Sequence, residues 1–227
     1  MSHYAVALFA NDPNDFDNLM APFDETDENF FIFEPVSDEE MLNQWEKFKK
    51  QNPAWLYSDW LKATYTLRDN TYGNWYNPHG YYDYYVIDGK DYMYDLLPEA
   101  EQRFENDGWP DFYHKSDLDW FSGSDEHPGS YWRKQWRVYS KDGDGFFSEK
   151  YYLERYVTEE QYVKEMMRPA VPYAFVTPDG KWHAPGRVGW FAISDETAES
   201  QDAYWEEWCD FIINAPDCYV SILDCHI

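Results

Sequence analysis

Two adjacent stretches near the C-terminus decide the fold: TAESQDAYWEEWCDFII (residues 197–213) and CYVSILDCHI (residues 218–227). The first is an amphipathic helix pattern that turns Tyr204, Trp205, Trp208, Phe211 and Ile212 inward. The second is a nearly continuous apolar run of strand length. Just upstream, Tyr173–Thr177 reads as a strand, Pro178-Asp179-Gly180 as a turn, and Lys181-Trp182-His183 as the start of a return strand. Val188–Ile193 resembles a further strand.

Working back to the N-terminus, His3–Ala10 is another short apolar run suited to a buried strand. Asn11–Asn29 reads as an acidic loop carrying Pro13 and Pro22, followed by the apolar Phe30–Phe33. Ser37 and Glu40 form a capping box that opens a helix to about Gln51, with Met41, Leu42, Trp45 and Phe48 on one face. Asn52-Pro53 breaks it, and Ala54–Tyr65 reads as a second helix. Asn77-Pro78 and His79-Gly80 are loop signals, Tyr84–Ile87 a strand, and Asp88-Gly89 a tight turn into Lys90–Tyr94. Residues 106–150 read as irregular, with a strand at Trp132–Tyr139. Thr158–Gln161 is a second capping box, opening a helix that ends before Pro169. Strands mixed with helices, without a βαβ repeat, predict an α+β fold. The expected sheet is mixed and mostly antiparallel, with the N- and C-terminal strands in its core. A single domain over 1–227 is expected, with 106–150 as an aromatic-rich insertion.

Charge narrows the function classes. There are 44 Asp and Glu against 18 Lys and Arg, a formal net of -26. No base precedes Lys47 and none follows Arg187, so residues 47–187 hold every base and the two ends are purely acidic. Such a chain repels nucleic acid and anionic membranes and attracts basic surfaces. One reading of the acids is a solvated surface that keeps the protein soluble. The other is mimicry of nucleic acid, with partner-binding carboxylates at Asp12, Asp15, Asp17, Asp24, Glu25, Asp27, Glu28, Asp38 and Glu39, and at Asp195, Glu196, Glu199, Asp202 and Glu206. If the first and last strands are neighbours, the two acidic ends fall on one side. The expected partner is then a basic, nucleic-acid-binding nuclease or effector complex, with no direct contact to nucleic acid or membrane.

Catalytic signals are weak. No Gly-rich phosphate loop, nucleophile elbow or His-Glu-x-x-His is present. Asp142-Gly143-Asp144-Gly145 begins like a calcium loop, but Phe146, Phe147 and Leu153 occupy positions that must carry a ligand, a glycine and a glutamate. No metal or cofactor is therefore expected. Cys209, Cys218 and Cys225 are an odd set without zinc spacing, in a chain whose first residues lack a signal-peptide pattern, so reduced structural thiols are expected. The alternative to a binding protein is a nucleotide- or signalling-molecule-binding protein or hydrolase using His79, His183 and His226, with Cys225 as a further candidate. In a strand, Asp224 and His226 share a face that Cys225 does not.

Four islands carry a resemblance: Tyr76-Asn77-Pro78 with Asp83–Gly89, Phe175–His183, the Asp224–Ile227 tail, and the opening strand before Ala21–Glu25. Together they resemble a set of uncharacterised bacteriophage proteins with the pattern Tyr-Asn-Pro, then Trp-Asp-Trp-Tyr-x-Ile-Gly-Gly-Arg-Trp. Here Tyr82, Tyr84 and Asp88 stand in place of Trp, Trp and Gly, and no Arg-Trp follows Gly89. The resemblance implies a phage product acting in the bacterial cytoplasm. Phages carry many small acidic proteins that block host defence nucleases, so it points the same way as the charge, toward an anti-CRISPR or other anti-defence inhibitor.

Overall fold

The computed structural model describes residues 3–87, 95–107, 110–120, 130–167, 171–187 and 194–227. In chain order the elements are β1 (His3–Ala10), α1 (Phe16–Met20), β2 (Ile32–Pro35), α2 (Asp38–Gln51), α3 (Tyr57–Thr64), β3 (Thr66–Arg68), β4 (Thr71–Tyr76), β5 (Tyr84–Ile87) and β6 (Asp95–Leu96). They continue with α4 (Pro98–Asp107), β7 (Tyr113–His114), β8 (Leu118–Asp119), α5 (Ser130–Asp142), α6 (Glu149–Tyr156) and α7 (Glu159–Met167). The chain closes with β9 (Ala174–Val176), β10 (Trp182–His183), α8 (Ala198–Asn214) and β11 (Tyr219–His226). The fold is α+β, and it forms two compact units: residues 1–20 with 84–227, and residues 21–83.

The larger unit is built on a sheet of order β10-β9-β1-β11-β5, with β7 also pairing with β11. β1 and β11 run antiparallel along their whole length, from His3 opposite His226 to Ala10 opposite Tyr219. β9 joins β1 in parallel, and the other pairings of this sheet are antiparallel. Val6–Ala10 are fully buried, as expected of a central strand covered on both faces. On one face Ala7, Phe9, Val220, Ile222 and Phe175 pack against Tyr204, Trp208, Cys209 and Ile212 of α8. Rings supply much of this layer beside its aliphatic side chains: Phe9 lies 6.0 Å from Trp208 and 4.8 Å from Phe211. Two short strands, β6 and β8, pair beside it.

In the same unit α5, α6 and α7 enclose a second aromatic core of Trp136, Tyr152, Tyr156, Tyr162 and Val163. This corrects the strand expected at Trp132–Tyr139, which is part of α5. Trp132, Trp136 and Tyr139 follow a helical period, and tertiary packing of that stripe overrides the strand propensity of aromatic residues.

The smaller unit pairs a β2-β4-β3 sheet with α2 and α3, around Met41, Trp60, Leu61 and Tyr65. Ser37 caps α2 by accepting from the Glu40 amide. Leu42, expected inward, is 51% exposed. Helix α3 begins at Tyr57 rather than Ala54, because Asn52–Trp55, with Pro53 inside it, is a turn closed by Trp55 N–H on Asn52 C=O. The stretch expected as a loop at 11–29 contains α1, which buries Phe16 and Met20. The strands expected at Val188–Ile193 and Lys90–Tyr94 lie outside the described residues.

The Tyr76-Asn77-Pro78 motif organises the smaller unit. Asn77, 3% exposed, donates to the carbonyls of Pro22 and Asp24 and accepts from the His79 amide. Gly80 follows because a Cβ there would sit 2.7 Å from Glu25 Cα. The motif is a packing knot, and its residues need no ligand to explain them.

Candidate functional site

Helix α8 has two faces of opposite character. Thr197 caps it by accepting from the Ser200 amide. Its inner face buries Tyr204, Trp208, Cys209 and Ile212. The outer face and its flank carry Glu199, Asp202, Glu206, Glu207 and Asp210, five carboxylates in 17 residues without one base. Asp202 is matched by Lys164 of α7, and Glu207 Oε1 lies 2.8 Å from His183 Nδ1. Glu207 and Asp210 fall within the acidic C-terminal segment but are not among the carboxylates singled out from the sequence. A helical projection of that segment finds them.

At the C-terminal end of α8 lies an open cleft of about 460 Å³. Phe211 and Pro216 from the α8 end, Asn11 after β1, and Thr177, Asp179 and His183 from the β9–β10 hairpin line it. The pairing of β1 with both β9 and β11 brings these three segments together. His183 stacks on Phe175 at 4.5 Å and 6°, and its Nε2 is buried without a hydrogen-bond partner. Asp179 accepts from the Thr177 hydroxyl at 2.5 Å and from Lys181 at 2.6 Å, and these two donors, Lys181 first, hold its carboxyl below the ordinary range.

Cys218 also lines the cleft, but burial pushes its thiol up, outweighing a downward pull from Lys115, and Asp217 adds a smaller upward push. A thiol so placed is not an activated nucleophile. Burial likewise pushes Cys209 up to about 12 and raises Cys225, which is fully buried. Lys115 is itself buried, and burial lowers its pKa. Its ammonium caps the end of α8 by donating to the carbonyls of Ile212 and Ala215.

The other candidates are dispersed. His226 stacks on Tyr84 at 4.5 Å and meets His3 edge-on at 5.2 Å, while His3 bonds Asp224. Cys225 lies on the opposite sheet face, opposite Tyr4 and Tyr85. By strand register, His183 and His226 stand about 20 Å apart. His79 belongs to the smaller unit. Among the described residues no three His, Cys, Asp or Glu side chains are grouped to hold a metal.

None of the acidic candidates is buried, though Asp24, Asp27, Glu196 and Asp202 are half-buried, and several do local work. Asp12, Asp24, Asp27 and Asp195 each accept a backbone N–H, and Asp17 accepts from the Tyr85 hydroxyl. Glu196 accepts from Gln201. Asp38 and Glu39 occupy the first turn of α2, where the helix dipole favours them. Asp15, Glu25, Glu28 and Glu206 are exposed. Asp12 and Asp15 follow β1 at the end where it pairs with Tyr219, the end that bears the cleft, whereas Asp17 bonds Tyr85, which pairs opposite Cys225 further along the sheet. Asp24, Glu25, Asp27, Glu28, Asp38 and Glu39 belong to the smaller unit.

Fold and site together define an α+β protein with a one-sided acidic helix ending at a small cleft. Comparison with protein-family models, curated proteins and solved structures finds no match to the chain. No helix among the described residues is long and apolar enough to cross a membrane.

Proposed function

We propose that this protein is an acidic inhibitor that occupies the nucleic-acid groove of a basic partner by imitating phosphate charge. The carrying observation is the outer face of α8, where Glu199 to Asp210 place five carboxylates without a base. With Asp202 matched by Lys164, the other four give, at about 1.5 Å of rise per residue, one charge per roughly 5 Å of helix. A single DNA strand presents one per about 3.4 Å. A Lys- and Arg-lined groove therefore meets a comparable charge density, and steering by the net charge of -26 speeds the encounter. The partner is a host nuclease or effector complex of a nucleic-acid-handling defence system, such as a CRISPR effector, and the inhibitor acts in the bacterial cytoplasm as a phage product. This last step rests on the resemblance of the Tyr76–Gly89 and Asp224–Ile227 segments.

The test is a DNA-cleavage assay with reconstituted defence nucleases and the whole protein. Inhibition should be relieved by excess DNA and by salt. Reversing Glu199, Glu206 and Asp210 together to Lys should weaken it roughly a hundredfold, since like charges facing each other across an interface cost several kcal/mol. Inhibition undiminished by the reversal rules the reading out.

A further inference from the structure

We propose that the cleft at the end of α8 receives an arginine side chain of the basic partner; this rests on the partner reading and names the anchor within it. The groups facing the cleft call for a ligand made of donors. Asp179 offers a carboxylate already oriented by the Thr177 hydroxyl. His183 is held through Nδ1 by Glu207, so in its neutral form that nitrogen carries the proton and Nε2 is an acceptor. Nε2 is buried without a hydrogen-bond partner, so it lends the wall an acceptor's partial negative charge, and the exposed Asp179 carboxylate is the group a ligand reaches. A guanidinium supplies five donors and no acceptor. Its planar face suits the Phe211 ring, and its methylene stem suits the apolar Pro178 and Pro216.

The carboxylate already takes a cation, since Lys181 from the same hairpin lies on it at 2.6 Å. The Lys181 side chain is 70% exposed. An exposed pair of this kind contributes little, so a bidentate guanidinium displaces it. The pull on a cation comes from Asp179 and the acidic helix rather than from the α8 terminus, whose Ile212 and Ala215 carbonyls Lys115 occupies. An anion is disfavoured by Asp179 and by the chain's overall charge.

The experiment is an NMR and calorimetric titration of the whole protein with Nα-acetyl-arginine amide, its lysine and citrulline counterparts, and inorganic phosphate. The arginine compound should bind with a Kd on the order of 1 mM, a few kcal/mol for one side chain. Lysine should bind more weakly, and citrulline and phosphate not at all. Asp179→Asn should weaken arginine binding roughly tenfold, the loss of a charge-assisted bond. Lys181→Ala should strengthen it roughly two- to fivefold by removing the internal competitor. Thermal melts of both variants should match the parent, because both side chains are exposed. Citrulline binding as well as arginine, or weaker arginine binding in Lys181→Ala, overturns the proposal. No arginine binding, with nuclease inhibition still dependent on α8, overturns it and leaves the partner reading standing. Asp179-dependent arginine binding without inhibition supports the pocket and removes that reading.

Discussion

Helices α8 and α5 belong to the same unit, both turn tryptophans inward, and they use charge in opposite ways. α5 carries Arg133, Lys134, Arg137 and Lys141 against a single acid, Asp142. Two of its four bases act inside the fold: Arg133 and Arg137 both reach Glu159 of α7, at 3.5 and 3.7 Å, and Arg133 also lies 3.8 Å from Glu160. α8 carries five acids and no base, and only Asp202 and Glu207 have cationic or histidine partners among the ion pairs of the described residues. Arg133 and Arg137 tie α5 to α7, and Asp202 ties α8 to the same helix through Lys164, whereas Glu199, Glu206 and Asp210 of α8 have no cationic partner among the ion pairs of the described residues. A helix that needs its charges for stability acquires counter-charges from its neighbours, and three of the five acids on α8 have none among the ion pairs of the described residues.

The largest expected effect separates the two sides of α8. Trp208 is 1% exposed and touches Phe9, Trp120 and Phe175. Trp208→Ala should destabilise the protein by about 3–5 kcal/mol, read by urea unfolding. A cost below about 1 kcal/mol would mean that the inner face does not carry the core. Next comes the helical layer around α5. Tyr162 is 1% exposed, and burial, reinforced by Tyr139 and Tyr156, pushes its pKa up to about 12 from 10.0. The folded state therefore keeps a proton that the unfolded state releases. Its contribution is fully present below pH 10 and lost as pH climbs from 10 toward 12, at most about 3 kcal/mol. Tyr162→Phe should flatten that part of the stability profile, and an unchanged slope would show that other tyrosines set it.

The same contrast explains what could be read from sequence. β1, β11 and the β9–β10 hairpin are legible because each is a short apolar run bounded by turn residues, and α8 because its aromatics recur at helical spacing. α5 is not legible in that way, since a Trp- and Tyr-rich segment satisfies strand propensity as well as a helical stripe, and only packing on Tyr162 and Val163 decides. The acid face of α8 was present in the sequence but hidden by counting charge along the chain rather than around the helix. The cleft was beyond reach. Asn11, Asp179, His183 and Phe211 are distant in sequence and meet only through the register of β1 with its two neighbours.

The smaller effects sharpen the comparison further. Glu159→Gln leaves Arg133 and Arg137 without their shared carboxylate and should cost about 1 kcal/mol, the scale of a partly exposed ion network. Arg137→Ala made in that background should cost less than in the parent, because the interaction is already gone. Equal costs would mean that the charges on α5 are no more structural than those on α8. Reversing Glu199, Glu206 and Asp210 to Lys should change stability least of all. Lys at 199 opposes the helix dipole in the first turn, and loss of the Asp210–Asn214 bond removes a small local contact. Lys at 206 and 210 relieves repulsion with Asp202 and Glu207, and a base toward the C-terminal end suits the dipole. These small terms oppose one another, so the net change should stay within about 0.5 kcal/mol, as for ordinary surface positions. Unchanged stability together with lost inhibition would show that α8 carries its charge for a partner. A loss above about 2 kcal/mol would instead make the acids part of the scaffold, and the contrast with α5 would collapse.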